Sequence, residues 1–180
     1  IAILKNIDAE YLHNLTIKMG EFCRSFQMPN ESFAWFNGGS LIEKNLIKQT
    51  LNRIGYKNRI FNVAEESGYC RLSSNDTVIF MDIGLPQKVS VDTKASLFAF
   101  ELFYKKEKII SNLGEIYGAN VKSMNNSLAS TAAHSTLNID DRNNLDLTGR
   151  RKIEILNSKY QKTKEGGIIN VMHSGYGAIY

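Results

Sequence analysis

Apolar residues recur in two rhythms along this chain, and the rhythm changes near residue 55. From Asp8 to Phe26 the spacing is helical: Leu12, Leu15, Met19, Phe22 and Phe26 share one face, Asp8 is placed to cap the first turn, and Pro29-Asn30 closes the segment. Phe33-Ala34-Trp35-Phe36, followed by Asn37-Gly38-Gly39, has the form of a short strand entering a tight turn. Ser40-Leu41-Ile42-Glu43 has the form of a capping box opening a second helix, with Leu46, Ile47 and Leu51 inward and Gly55 at its end.

Beyond Gly55 the apolar positions alternate. Strands are expected at Arg59–Val63, Gly68–Leu72, Thr77–Asp82, Leu97–Tyr104, Lys108–Ser111, Ser135–Ile139, Lys152–Leu156, Gly167–Met172 and Tyr176–Tyr180. Ser74-Asn75-Asp76, Lys105-Lys106-Glu107 and Gly166-Gly167 read as hairpin turns. Many short strands joined by polar turns predict a mainly β fold, an antiparallel β-sandwich with one or two helices at the N-terminal end. Two long loops, Ile83–Ser96 and Leu113–Ala133, interrupt it.

Composition adds little to this picture but excludes some classes. Hydrophobic residues make up 43% and charged residues 22%, the balance of a folded domain with a sizeable core. The net charge of +4 is too mild and dispersed for a nucleic-acid stripe, and is compatible with an anionic small molecule or polymer. Cys23 and Cys70 lack metal-type spacing; two isolated buried thiols are the expected state, and one disulfide the alternative. No apolar run approaches the ~20 residues of a membrane span. The chain opens on Ile1-Ala2-Ile3-Leu4 without Met and stops on Gly177-Ala178-Ile179-Tyr180, which reads as an unfinished strand, so a piece of a longer polypeptide is expected.

Of the three histidines, His13 sits among polar neighbours on the first helix and reads as a surface residue. His173 reads as a strand-end residue. His134, in Thr131-Ala132-Ala133-His134-Ser135-Thr136-Leu137, stands where a long loop enters an expected strand; there it could hold metal or substrate, or be a hydrogen-bonded structural residue. Asp82, Asp92, Asp140 and Asp141 are available oxygen ligands, but no spacing gathers them. Gly38-Gly39 lacks a nucleotide-binding spacing. Arg150, Arg151, Lys152, Lys159, Lys162 and Lys164, interrupted by Glu154 and Glu165, read as a solvated face whose sign would suit an acidic polysaccharide. No catalytic residue can be named.

Taken in order, several segments resemble the sheet-rich C-terminal region of heparinase II/III-like proteins: Phe33–Gly38, Ser67–Leu72 with Thr77–Gly84, Ala99-Phe100-Glu101-Leu102, Thr131–Leu137 followed by Asp140, and Gly166-Gly167 with His173-Ser174-Gly175-Tyr176. The resemblance covers most of residues 31–180. It implies that residues 1–30 are the last helix of an α/α toroid, and that 31–180 are the sheet domain, truncated at its C-terminus. It also implies the activity of a polysaccharide lyase: β-elimination on uronic-acid-containing chains, with base and acid supplied mainly by the toroid, in a bacterial periplasm or cell envelope. The implied partners are an anionic polysaccharide and the rest of the same polypeptide, with neither nucleic acid nor a membrane span.

The family's sheet domain often holds zinc, through a His-x-His and an aspartate. Those positions read Asp92-Thr93-Lys94 and Asn112 in this chain, leaving His134 as the only match. No metal and no cofactor are therefore expected, and His134 is retained as a candidate substrate-binding residue. The alternative reading is a non-catalytic relative that binds glycan or serves the cell envelope.

Overall fold

The computed structural model describes residues 8–39, 43–54, 60–86, 89, 93–114, 124 and 127–177. Helix α1 spans Ala9–Phe26, and α2 spans Lys44–Ile54. The strands are β1 Val63–Ala64, β2 Tyr69–Ser74, β3 Thr77–Asp82, β4 Phe100–Tyr104, β5 Glu107–Ile110, β6 Ile155–Lys162 and β7 Gly167–His173. Strands β1 to β5 form an antiparallel meander in chain order, while β6 and β7 form a separate hairpin. The fold is mainly antiparallel sheet with two helices, as the alternation predicts.

Each expected hairpin forms at its polar turn. Asn75 and Lys105 take positive φ (48° and 55°), and Gly166 turns β6 into β7. In β3 the alternation places Val78, Phe80 and Asp82 on a buried face. That face meets Phe103 and Glu101 of β4, where Phe80 pairs with Glu101 and Val78 with Phe103. Met28, Phe36, Val78, Phe80, Ala99 and Phe103 make the main core, with Phe26 and Tyr69 against it. The Phe26 ring lies 4.5 Å from that of Phe80 and 4.6 Å from that of Tyr69, each within range of a favourable aromatic pair. Arg71, opposite Phe80, donates from Nη1 to the carbonyls of Ser25 and Gln27 at 3.1 and 3.0 Å. A guanidinium satisfying the terminal carbonyls of α1 anchors that helix end to the sheet. The hairpin β6–β7 lies over the opposite face of the meander, where an open groove of about 650 Å³ is lined by Met81, Phe98, Phe100, Val171, His173 and Tyr176, among others.

Several expectations are corrected. Asp8 caps α1 as read, accepting from the backbone N–H groups of Glu10 and Tyr11, and the shared face of Leu12, Leu15 and Met19 is exposed; Leu46 on α2, expected inward, is exposed too. An apolar stripe stays exposed when nothing packs on it, and the described residues supply no such layer. Phe33–Phe36 is no strand: Phe33 makes a single bridge to Gln27, because this segment is drawn into the core by Phe36. The expected Arg59–Val63 strand reduces to Val63–Ala64, with residue 59 outside the described residues. β4 starts only at Phe100, since Phe98 sits at φ 59° in a turn. Ser135–Ile139 makes isolated contacts to β4 rather than a ladder, and β6 begins at Ile155 and runs on to Lys162. Tyr176 lies in a turn; residues 178–180, and Ser40 of the capping box, lie outside the described residues. Both cysteines are free, with Cys70 buried as expected but Cys23 exposed.

Candidate functional site

The alternation that buries Val78 and Phe80 also carries Asp82, at the end of β3, out of solvent. There it faces the Asn37-Gly38 turn: Asn37 Nδ2 donates to Asp82 Oδ2 at 2.9 Å, and the Gly84 N–H donates to Oδ1 at 3.2 Å. Asn37, Ser67, Tyr69, Asp82, Gly84, Lys94 and Ser96 line a polar pocket of about 190 Å³, together with the apolar Leu85, Pro86 and Leu97. Burial pushes the Asp82 carboxyl up to about 6 against the two hydrogen bonds, and burial together with the Asp82 charge raises the Tyr69 phenol.

Lys94 reaches this pocket on a segment pinned by buried polar contacts. The Ala95 N–H bonds the Ala129 carbonyl at 2.8 Å, and Thr131 Oγ1 donates to the Ala95 carbonyl at 2.7 Å. Asn144, fully buried, accepts from the Leu97 N–H at 3.3 Å and donates to its carbonyl at 3.1 Å. The Lys94 stem passes the Asn37-Gly38 turn, so that a Cβ on Gly38 would stand 3.4 Å from Lys94 Cε.

His134 follows the 3-10 turn Thr131–Ala133, half-buried. Its Nε2 lies 3.0 Å from the Leu128 carbonyl oxygen. A carbonyl only accepts, so Nε2 carries the hydrogen and the free lone pair is on Nδ1. Burial lowers its pKa, the Leu128 bond opposes that, and the nearby Lys94 charge lowers it further. His134 is thus a neutral residue held at the loop edge, beside Lys94 but outside the lining of the polar pocket.

The zinc that the resemblance implies does not fit these residues. Next to His134 stand a cation, Lys94, and Asn112, whose Oδ1 already accepts from the Ser135 N–H at 3.1 Å and from its hydroxyl at 3.0 Å. Among the described residues no three His, Cys, Asp or Glu side chains converge, and one imidazole beside an ammonium is not a zinc donor set. Asp92 lies outside the described residues, and Asp140 and Asp141 are exposed in a turn. The basic residues of 150–164 are mostly exposed, with Lys152 paired to Glu154.

A second buried polar centre lies behind the site. Glu101, fully buried, accepts at Oε1 from the Trp35 N–H (3.1 Å), Lys108 Nζ (3.3 Å), Ser111 Oγ (3.4 Å) and the Asn112 N–H (3.3 Å). Lys108 Nζ also lies 3.2 Å from Oε2 and 4.3 Å from the Trp35 ring centroid.

The raised Asp82 carboxyl makes stability pH-dependent. The folded state binds this proton more tightly than the unfolded chain, so its contribution is full below the usual carboxylate value near ~4 and is lost as pH rises through about 6. Relative to Asp82→Asn, the protein should lose roughly 3 kcal/mol across that window. Urea denaturation at a series of pH values reads this directly; parallel pH profiles for the two proteins would refute the assignment.

Sequence reasoning named Asp82 only as a loose oxygen and missed Asn37 and Tyr69. The period-two burial of Val78, Phe80 and Asp82 was the available signal.

The family model described as Heparinase II/III-like, C-terminal, matches residues 57–179. No curated protein matches the chain. Among solved structures, heparan sulfate lyase HepC from Pedobacter heparinus aligns at 18% identity and a TM-score of 0.70, over 95% of this chain and 30% of that one. A heparinase III aligns at 16% identity and 0.61, over 85% and 29%, and the heparinase III BT4657 gene product at 17% and 0.62, over 85% and 27%. The chain thus spans about 30% of the length of these structures or slightly less.

Proposed function

The chain belongs to the heparinase II/III-like family, as a C-terminal domain, and from that premise we propose that it is the sheet domain of a polysaccharide lyase acting by β-elimination on anionic, uronic-acid-containing polysaccharide. The family match over residues 57–179 carries this reading. In such a reaction a base removes the C5 proton of the uronate, its carboxylate is neutralised, and an acid protonates the leaving oxygen. We assign the base and acid mainly to a toroid domain, of which residues 1–30 form the last helix. The exposed Leu12, Leu15 and Met19 support that reading, since they form the kind of apolar stripe that a further helix layer would cover. On this reading residues 31–180 close the cleft, His134 lies at its edge as a substrate-binding residue, and the protein works in the periplasm or cell envelope.

One observation favours a second reading, a non-catalytic relative that binds glycan: Lys94 stands beside His134 where the family's metal would require a ligand. The test is ultraviolet absorbance of unsaturated uronate across a panel of acidic polysaccharides. The full-length polypeptide is expected to release product from at least one of them, and residues 1–180 alone from none. Retention of a polysaccharide without product would favour the binding reading, and turnover by residues 1–180 alone would overturn the division of labour.

A further inference from the structure

Lys94 is 8% exposed, yet its ammonium makes no hydrogen bond or ion pair among the described residues. A lysine whose stem is covered and whose ammonium meets no internal anion at the edge of a polar pocket leaves that charge open to a ligand. Here the charge borders a polar pocket rather than a sealed core. Asp82 lines the same pocket without forming an ion pair with it, held instead by Asn37 and Gly84.

We propose that this pocket is a carboxylate-binding subsite, in which Lys94, with Asn37, Tyr69 and Asp82 around it, holds one carboxylate of an acidic sugar. This rests on the polysaccharide reading above and specifies its ligand chemistry. One ammonium matches one negative charge. The volume, about 190 Å³, corresponds to roughly six waters at ~30 Å³ each, enough for one sugar-sized group. The neighbouring carboxyl selects within the anions. With its pKa raised to about 6, Asp82 can hold a proton and donate a hydrogen bond through it to a ligand carboxylate. A sulfate ester is the weaker base and so the weaker acceptor of that hydrogen bond, while ionised Asp82 would repel either anion. The groups bearing on Asp82 and Lys94 are Tyr69 on β2, Asn37 and the Gly84 N–H in their turns, and neutral His134 beyond Lys94. Affinity for a carboxylate should therefore fall as pH rises through about 6.

The experiment is calorimetric or NMR titration of the full-length polypeptide with D-glucuronate, D-glucose and glucose 6-sulfate, for the wild type, Lys94→Met and Lys94→Gln. Glucuronate should bind better than both other sugars. Both variants should lose it by about tenfold or more, the worth of one charge-assisted hydrogen bond. Their melting temperatures should hold or rise, because no internal partner is lost. Equal binding of glucose and glucuronate, preference for the sulfate, unchanged affinity in both variants, or a marked fall in their melting temperatures would each overturn the subsite. Loss of glucuronate binding in the variants of a protein that neither binds nor cleaves any polysaccharide would leave the subsite standing and sink the polysaccharide reading. Cleavage of polysaccharide with unchanged glucuronate binding in the variants would do the reverse.

Discussion

Glu101→Ala is expected to lower the stability of the domain by about 3–5 kcal/mol, the usual loss when one partner of a buried ion pair is removed. The carboxylate is fully buried between the β-meander and the 28–36 segment, and its Oε1 gathers four donors. Removing it strands the buried Asn112 N–H, takes the acceptor from the half-buried Trp35 N–H, and leaves the Lys108 ammonium, only partly exposed, against an aromatic ring. Glu101→Gln keeps one acceptor oxygen but loses the charge, so it should fall between wild type and Ala, at about 1–3 kcal/mol. Denaturant unfolding measures both. If Glu101→Ala stayed within ~1 kcal/mol of wild type, the hydrogen bonds drawn to Oε1 would be wrong, since even an average substitution costs that much.

Gly68→Ala is expected to be nearly as severe, for a reason in the backbone. Gly68 sits at φ 71°, and a Cβ there would lie 2.4 Å from Gly84 Cα and 2.8 Å from Gly84 N. Both flanks are fixed: the Gly68 N–H bonds the Ala64 carbonyl at 2.8 Å, and its own carbonyl accepts from the Ile83 N–H at 2.7 Å. Backbone strain of about 1–3 kcal/mol and overpacking of similar size add to roughly 2–6 kcal/mol. The clash also forces apart Ser67 and Gly84, which line the polar pocket, so the variant should lose the pH dependence assigned to Asp82. A stable variant with that dependence intact would show that the two strand ends are not in close contact.

The sequence could be read furthest where structure is decided within a few residues. The α1 start at Asp8, the hairpins at Ser74-Asn75-Asp76 and Lys105-Lys106-Glu107, and the Gly166-Gly167 turn were legible because capping, alternation and positive φ are local. The mainly antiparallel β fold followed from them, and the ordered segments from Phe33 to Tyr176 were enough to point to the family. Expectations failed where neighbours decide: Ser135–Ile139 alternates like a strand but makes no continuous ladder among the described residues, and Leu46, expected inward, is exposed.

The candidate site belongs mostly to the second kind. Asp82 and Lys94 are ordinary surface types in the sequence, 12 residues apart; only the packing of the Asn37-Gly38 turn against the end of β3 buries one beside the other. Glu101 likewise takes its partner Trp35 from 66 residues away. By itself, the sequence determined the local elements, the fold class and the family. The tertiary structure alone decided which polar groups lie out of water, because desolvation and hydrogen bonding depend on what distant segments bring against a side chain rather than on its neighbours in the chain.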